Sequence, residues 1–219
     1  MHISEGVLNT PTVVVTTIAA VGLIAYSAKG VKSEEIPKIA LMTGVFFTGS
    51  LIHIPIGPAS IHLLLSGIIG MILGRRTPIS ISLALILQLF LFQFGGLTSF
   101  GANVLNTSLP AMLMFWLVRP LISEKKTSQF ICGVLAGSIA VVGTVLGVGI
   151  SLVESNTQFG IGAFSTIHML VYGHIPIMII EGIFTGFVVQ FIVSVRPQIL
   201  AVLQTDKEEV KPLTINNNI

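Results

Sequence analysis

The fold class predicted from this sequence is an all-α, polytopic membrane protein with about seven transmembrane helices. Apolar residues make up 53% of the 219-residue chain and charged residues only 9%, and the mean hydropathy is +0.94. An ordinary soluble domain is much less apolar and more charged. Apolar segments also recur along the chain, separated by short polar or glycine- and proline-containing loops, as expected of a protein that crosses the bilayer repeatedly.

Seven apolar segments match, or nearly match, the roughly 17 to 25 helical residues that a bilayer core of about 30 Å requires. We expect the spans at residues 11–28, 39–54, 61–74, 79–94, 104–118, 130–150 and 175–195. Several are short, and the third fits a tilted or partly inserted segment. The sixth contains Gly133, Gly137, Gly143 and Gly147, two pairs of glycines spaced four residues apart, which predicts close packing against a neighbouring helix.

The segments outside these helices divide into a structured loop and a tail. Residues 95–103 are too polar and flexible for a lipid-facing helix. Because irregular backbone lies at membrane depth only where protein or a cavity surrounds it, we expect a re-entrant or capping loop there. Residues 206–219 are polar, so we predict a transmembrane domain over 1–205 followed by a solvated cytoplasmic tail.

The basic residues predict the orientation of the chain. All eleven lysines and arginines follow odd-numbered spans, at positions Lys29, Lys32, Lys38, Arg75, Arg76, Arg119, Lys125, Lys126, Arg196, Lys207 and Lys211. Loops rich in lysine and arginine remain in the cytoplasm. We therefore predict a plasma-membrane protein whose amino terminus is outside the cell and whose carboxyl terminus is cytoplasmic.

The same orientation brings all five histidines to the outer face. His2 begins the chain, His53 ends the second span, His62 opens the third, and His168 and His174 precede the seventh. Glu181 is expected about two turns below the outer surface on the seventh helix. Because an ionisable residue inside a span is costly and usually faces the bundle interior, Glu181 is a functional candidate.

A histidine in second position can offer a divalent metal three nitrogens at once. These are the terminal amine of Met1, the deprotonated backbone nitrogen of His2 and the His2 imidazole. A square plane then lacks one nitrogen donor, and planar nitrogen coordination suits nickel, copper or low-spin cobalt better than zinc. His62 could supply that donor, although a histidine that opens a helix can instead bond a loop carbonyl.

Other polar residues of the outer face are expected to support such a site rather than to bind the metal. We expect His53, His168 and His174 to form hydrogen bonds around it. Asn103 and Asn106 could orient a ligand histidine through its other ring nitrogen, or could satisfy the loop backbone. Both alternatives remain open at this stage.

Several classes of function find little support in the sequence. The chain has no phosphate-binding loop for ATP, no basic face for nucleic acid, and a single cysteine, Cys132, which excludes a cysteine-based metal site. A membrane metalloenzyme could use histidines and Glu181 around a zinc-bound water, but no His-Glu-x-x-His helix is present. A haem-binding electron carrier would need histidines paired across helices at similar depth, whereas these lie at predicted helix ends.

Four blocks of sequence carry a resemblance to a known family. They are residues 1–6 (MHISEG), 50–63 (SLIHIPIGPASIHL), 92–98 (FQFGGLT) with Asn103 and Asn106, and 173–182 (GHIPIMIIEG). Together they resemble the CbiM/NikM family, the cobalt or nickel substrate-binding membrane components of energy-coupling factor (ECF) transporters. The resemblance implies a square-planar site formed by Met1, His2 and His62, with the amino-terminal segment packed into the helical bundle.

The resemblance also implies partners and a cargo. The chain would bind Co²⁺ or Ni²⁺ as the transported substrate, and it would work with a transmembrane coupling protein, two cytoplasmic ATPase subunits and, in some systems, a small accessory membrane protein. Ser66, where relatives commonly have asparagine, and the Ala102-Asn-Val run depart from the family pattern. The sequence does not choose between cobalt and nickel.

Overall fold

A computed structural model of the chain describes residues 2–51, 53–56, 59–162, 165–196 and Ile199, and at 53–56 and 59–61 it describes the backbone alone. Met1 and the predicted tail at 206–219 lie outside the described residues, as does the boundary predicted at residue 205. Within the described part, the protein consists of seven α-helices and one two-stranded hairpin, so the predicted all-α class is confirmed.

The elements follow one another with short connections, several of which contain a turn of 3₁₀ helix. In chain order they are α1 (Thr10–Ala28), α2 (Ile36–Gly49), β1 (His53–Ile56), β2 (Ala59–His62), α3 (Ser66–Leu73), α4 (Thr77–Phe92), α5 (Phe100–Val118), α6 (Lys126–Ser155) and α7 (Thr166–Val195). Five helical segments of the described chain are long and apolar enough to cross a membrane; one of them, Ser66–Phe92, contains both α3 and α4. The predicted count of seven spans is therefore approximate.

The predicted end of the second helix, at residue 54, and the predicted start of the third, at residue 61, are wrong. Helix α2 ends at Gly49, an antiparallel hairpin follows, and α3 begins only at Ser66. In the hairpin, His53 pairs with His62 and Ile56 with Ala59. Prolines within this stretch cannot donate a helical hydrogen bond, and the β-branched isoleucines around them favour extended backbone. His62 therefore lies on a strand and does not open a helix.

The chain reverses direction between α3 and α4. His62, before α3, and Phe94, after α4, both lie beside the His2 ring. The reversal occurs at the Gly74–Arg76 turn, where Gly74 has a φ of +52°. The third predicted pass is thus built from strand β2, a turn and the eight-residue helix α3.

The predicted start of the last helix is also wrong. Helix α7 begins at Thr166, so His168 and His174 lie within it, and Pro176 is an internal residue of the helix. Membrane helices tolerate an internal proline because neighbouring groups can satisfy the freed carbonyl. Glu181 consequently lies about 22 Å along the axis from Thr166, near the middle of α7 and not two turns below its outer end.

Arg76 joins two of the loops that were predicted to share one side of the membrane. Its Nη1 donates to the carbonyl oxygens of Ser27 (2.6 Å) and Lys29 (2.8 Å), and its Nη2 donates to Gly30 O (2.7 Å). The same guanidinium forms an ion pair with Glu35 at 2.8 Å. The loops after α1 and after α3 therefore meet at the same end of the bundle, as the distribution of basic residues predicted.

The opposite end of the bundle collects the amino-terminal segment and the loops after α4 and α6. The Asn9 side chain, which caps α1, donates to Glu154 O at 3.0 Å. Thr98, between α4 and α5, donates to the Glu5 carboxylate. Which end faces the cytoplasm stays a prediction from the positive-inside rule.

Helices α6 and α7 pack with their backbones in contact. A Cβ atom added to Gly133 would lie 2.7 Å from Gly186 Cα, and one added to Gly137 would lie 3.0 Å from Gly182 Cα. A side chain larger than hydrogen cannot fit at either place without moving a helix. The close packing predicted from the glycines of α6 is confirmed.

Candidate metal centre

The amino-terminal arm, defined here as residues 2–9, enters the bundle and is held there through its backbone. His2 and Ile3 are buried. Asn103, on the first turn of α5, accepts from Ile3 N at 2.7 Å and donates to Ile3 O at 3.1 Å. The Ser99 hydroxyl donates to the same carbonyl at 2.6 Å. These bonds fix the peptide groups next to His2 and therefore fix where its side chain lies.

A second set of contacts holds the arm closer to the surface. Thr98 donates to the Glu5 carboxylate from its backbone nitrogen (3.1 Å) and from its hydroxyl (2.6 Å). The hydroxyl bond is the main reason that the pKa of Glu5 lies below its ordinary value. Gly95, with a φ of +81°, and Gly96 give the arm room: a Cβ on Gly96 would lie 2.6 Å from Glu5 Cα. Residues 95–99 of the expected capping loop form the surface on which the arm lies, whereas residues 100–103, predicted as loop, are the first turn of α5.

The structure brings together His2 and His62, the two imidazoles proposed as ligands. Their ring centroids are 4.7 Å apart and the ring planes differ by 29°. Phe94 stacks near His2 and Phe46 meets the His62 ring edge-on, each at 6.4 Å between centroids. Both histidines are almost completely buried, at 3% and 2% exposure. Two histidines 60 positions apart in the sequence are therefore buried side by side, next to two phenylalanine rings.

The His62 ring is prepared to offer one nitrogen lone pair. Its Nδ1 lies 2.9 Å from Leu63 O, and because a carbonyl oxygen only accepts, Nδ1 must carry the hydrogen. In the neutral ring, Nε2 then carries the lone pair that can bind a metal ion. This atom is buried without a hydrogen-bond partner among the described residues. Neutral imidazole is the form that binds a metal ion.

The other histidines lie in three different settings. His174, buried on α7, places Nδ1 2.7 Å from Leu170 O, and its Nε2 has no partner within the part of the chain described. His168 places Nδ1 2.7 Å from the hydroxyl of Ser165, the residue that caps α7. For His53 the backbone alone is described, paired with His62 across the hairpin. Their expected supporting role stays a prediction.

The two asparagines of α5 have separate partners. Asn103 binds the backbone of Ile3 on the arm, a partner that neither of the two roles left open by the sequence had named. Asn106 lies one turn further along the helix and donates to the Ser151 hydroxyl on α6 at 2.9 Å. In this structure Asn103 therefore contacts the arm directly, while Asn106 joins two helices.

Glu181 is completely buried and contacts the turn that follows the hairpin. Its Oε1 atom accepts hydrogen bonds from the backbone nitrogens of Leu64 and of Leu65, the latter at 3.0 Å. Sequence reasoning selected Glu181 for being ionisable within a span, but it did not identify these partners. It also did not single out Ser99, whose only signal was its place in the polar segment between α4 and α5.

The described side chains alone do not complete a metal site. No group of three or more histidine, cysteine, aspartate or glutamate side chains converges within the described part of the chain. An ion between His2 and His62 would therefore need further donors from backbone nitrogen or from Met1, which lies outside the described residues. The predicted ligand set includes both kinds of donor.

Comparison with known proteins identifies the family. Residues 2–199 match CbiM, described as the cobalt uptake substrate-specific transmembrane region. The chain belongs to the CbiM family. The resemblance seen in the sequence is thereby confirmed.

Individual relatives agree with this membership. A Haemophilus influenzae protein provisionally named a metal transport protein is 30% identical over 91% of this chain and 97% of its own length. An Archaeoglobus fulgidus protein provisionally named fused nickel transport protein NikMN is 25% identical over 91% of this chain and 68% of its own length. A crystal structure of a truncated transition metal transporter superposes with a TM-score of 0.71 at 26% identity, covering 89% of this chain and 99% of that one.

Proposed function

We propose that this CbiM-family chain is the substrate-binding membrane component of an ECF-type, ATP-driven importer of Co²⁺ or Ni²⁺. The ion enters from the outer face, binds between the arm and the hairpin, and is delivered to the cytoplasm. The observation that carries the proposal is the placement of His2, at the buried end of the arm, directly beside the ring of His62, whose Nε2 has no hydrogen-bond partner among the described residues. Family membership favours transport over the enzymatic and haem-binding alternatives.

The proposed ligands are the amine of Met1, the backbone nitrogen of His2, and the imidazoles of His2 and His62. In this chelate the backbone nitrogen lies between the amine and the His2 imidazole, so the fourth position is adjacent to the His2 ring. Two imidazoles bound at adjacent corners of a square, with metal–nitrogen bonds of about 2 Å, have ring centroids roughly 4.5 Å apart. The observed separation of 4.7 Å supports His62 as the fourth donor.

Energy for transport would come from other subunits. The chain contains no phosphate-binding loop, so ATP hydrolysis is assigned to two cytoplasmic ATPase subunits that act through a transmembrane coupling protein, with or without a small accessory membrane protein. The fused Archaeoglobus relative supports such partners, because about a third of its length lies beyond the region that this chain covers.

The test of the site blocks the terminal amine. Acetylating the amine of Met1 should reduce Ni²⁺ and Co²⁺ affinity by at least about 100-fold, because the acetylated nitrogen can no longer bind the metal. Isothermal titration calorimetry on the purified protein measures this loss. The same protein with its amine left free is the matched control and should keep its full affinity.

The same site predicts a pH dependence. Both the amine, whose reference pKa is about 8, and the amide must lose a proton on binding, so affinity should fall as pH decreases. Unchanged calorimetric affinity in the acetylated protein would show that the terminal amine is not a ligand.

A further inference from the structure

The peptide group between Leu63 and Leu64 lies between His62 and Glu181. Its carbonyl oxygen, on Leu63, accepts from His62 Nδ1 at 2.9 Å. Its nitrogen, on Leu64, donates to Glu181 Oε1, which also accepts from Leu65 N at 3.0 Å. A carboxylate on α7 is thus connected to the imidazole on the hairpin through one planar unit.

We propose that Glu181 is a positioning residue for the metal centre, which orients His62 through the Leu63–Leu64 peptide group. The inference rests on the proposed function, since it concerns His62 as a ligand. A peptide group is rigid, so its oxygen cannot rotate away from His62 unless its nitrogen also leaves the carboxylate. The carboxylate therefore determines which way the His62 ring presents Nε2.

The same chain of bonds also makes His62 a slightly stronger donor, an effect smaller than that of its orientation. Hydrogen bonds in series polarise one another in a low-dielectric interior. A carboxylate that accepts from the peptide nitrogen increases the negative charge on the peptide oxygen, and that oxygen in turn withdraws the hydrogen of His62 Nδ1. Metal-binding histidines commonly donate their second ring nitrogen to a carboxylate or carbonyl, which raises ligand basicity. Here a carbonyl is the direct partner and a carboxylate is connected behind it.

The backbone at this turn needs the carboxylate to keep its shape. Leu65 has a φ of +52°, a left-handed conformation that a leucine rarely adopts. The backbone nitrogens of Leu64 and Leu65 both donate to one oxygen of Glu181. These bonds offset the strain at Leu65 and satisfy two backbone N–H groups that have no acceptor within a helix. Without an acceptor at that point, the turn is free to relax and to carry the Leu63 carbonyl away from His62.

Two substitutions distinguish the effect of the length of the Glu181 side chain from the effect of its charge. Glu181→Gln keeps the side-chain length and a carbonyl acceptor but removes the charge, whereas Glu181→Asp keeps the charge and shortens the side chain. If Glu181 acts by position, Ni²⁺ affinity should fall about 10-fold or more in Glu181→Asp and by less than about 3-fold in Glu181→Gln. Thr185→Val, one turn further along α7 and also buried, is the matched control and should bind normally.

A double-mutant cycle shows whether the effect passes through His62. Glu181→Asp should lower affinity in the wild-type background and should have no further effect in a His62→Ala background, because the residue on which it acts is gone. The visible absorption band of planar Ni²⁺ should shift in Glu181→Asp and return in Glu181→Gln. Thermal unfolding of each variant shows that the affinities refer to folded protein.

The outcomes distinguish this inference from the proposed function. Equal losses for Glu181→Asp in both backgrounds, or a larger loss for Glu181→Gln than for Glu181→Asp, would overturn the positioning role while leaving the metal site intact. Unchanged affinity in His62→Ala alone would overturn the proposed function itself.

Discussion

The arm and the hairpin carry the two sides of the candidate metal centre, and they are held in different ways. Residues 3–6 of the arm are bonded to one continuous segment, from Thr98 to Asn103, and part of that contact is exposed. The hairpin is bonded at both ends to buried side chains on separate helices. Before it, Gln88 of α4 donates to Ser50, and after it Glu181 of α7 accepts from Leu65.

Because of this difference, variants of the arm and variants of the hairpin should affect metal affinity and the stability of the fold differently. Each of these contacts of the arm can be removed while the helices remain packed, because the bonds of residues 3–6 reach only the start of α5 and the loop before it. The hairpin joins α4 to α7, so a change there alters the bundle as well. Variants of the arm should therefore lose metal affinity with little loss of stability, whereas variants at the hairpin ends should lose both.

The largest expected effect tests the hairpin side. His62→Ala removes a proposed ligand and should reduce Ni²⁺ affinity by at least about 100-fold, because a planar site with three donors must take water as the fourth. His168→Ala is the control, since His168 bonds Ser165 at the start of α7, and it should change affinity by less than about 3-fold. Calorimetry with both variants is decisive: equal losses would mean that His62 has no special place in the site.

A smaller effect is expected on the arm side. Gly96→Ala would place a Cβ atom 2.7 Å from Glu5 N and 2.6 Å from Glu5 Cα, which are backbone atoms that cannot move alone. The arm should be displaced, with a loss of Ni²⁺ affinity of about 10-fold and a melting temperature within a few degrees of wild type. Gly44→Ala, at a position with open space around it, should behave as wild type. A large fall in melting temperature for Gly96→Ala would contradict the separation of arm and fold.

The smallest effect concerns the exposed contact between Glu5 and Thr98. Glu5→Gln weakens bonds that solvent already screens, so affinity at pH 7 should fall by no more than about 3-fold. Because Thr98 lowers the pKa of Glu5 in the folded state, its stabilisation is present above the unfolded pKa near 4.3 and is lost as pH falls through the folded value. Amide exchange of Thr98, corrected for intrinsic rates, should show this loss in wild type. The variant should show none.

Much of the fold could be predicted because it follows from composition and charge. The apolar segments identified an all-α membrane protein, and the glycines of α6 identified its close packing with α7. The loops that carry Lys29 and Arg76 meet at one end of the bundle, as their charges indicated. Each of these features depends on properties of single segments that can be read locally.

The hairpin and its contacts could not be predicted in the same way. A short apolar run does not reveal by periodicity whether it is strand or helix, and Pro55 and Pro58 fitted either a helix boundary or a turn. The bonds from Leu64 and Leu65 to Glu181 join residues more than 100 positions apart, so no local signal marks them. The pairing of His2 with His62 was expected from the family resemblance and the unfilled coordination position, and its observed geometry came only from the fold.

The glycine contacts between α6 and α7 have a mechanical consequence. Gly133 packs against Gly186 and Gly137 against Gly182, so no side chain separates the two backbones at these contacts. If either helix moved along its axis by one residue, larger side chains would have to enter the glycine contacts. The two helices should consequently move together as one rigid unit. Glu181 is part of α7 and bonds Leu65, 116 positions earlier in the sequence, at the turn that follows the hairpin. Any tilt of the α6–α7 pair would therefore be transmitted directly to the hairpin.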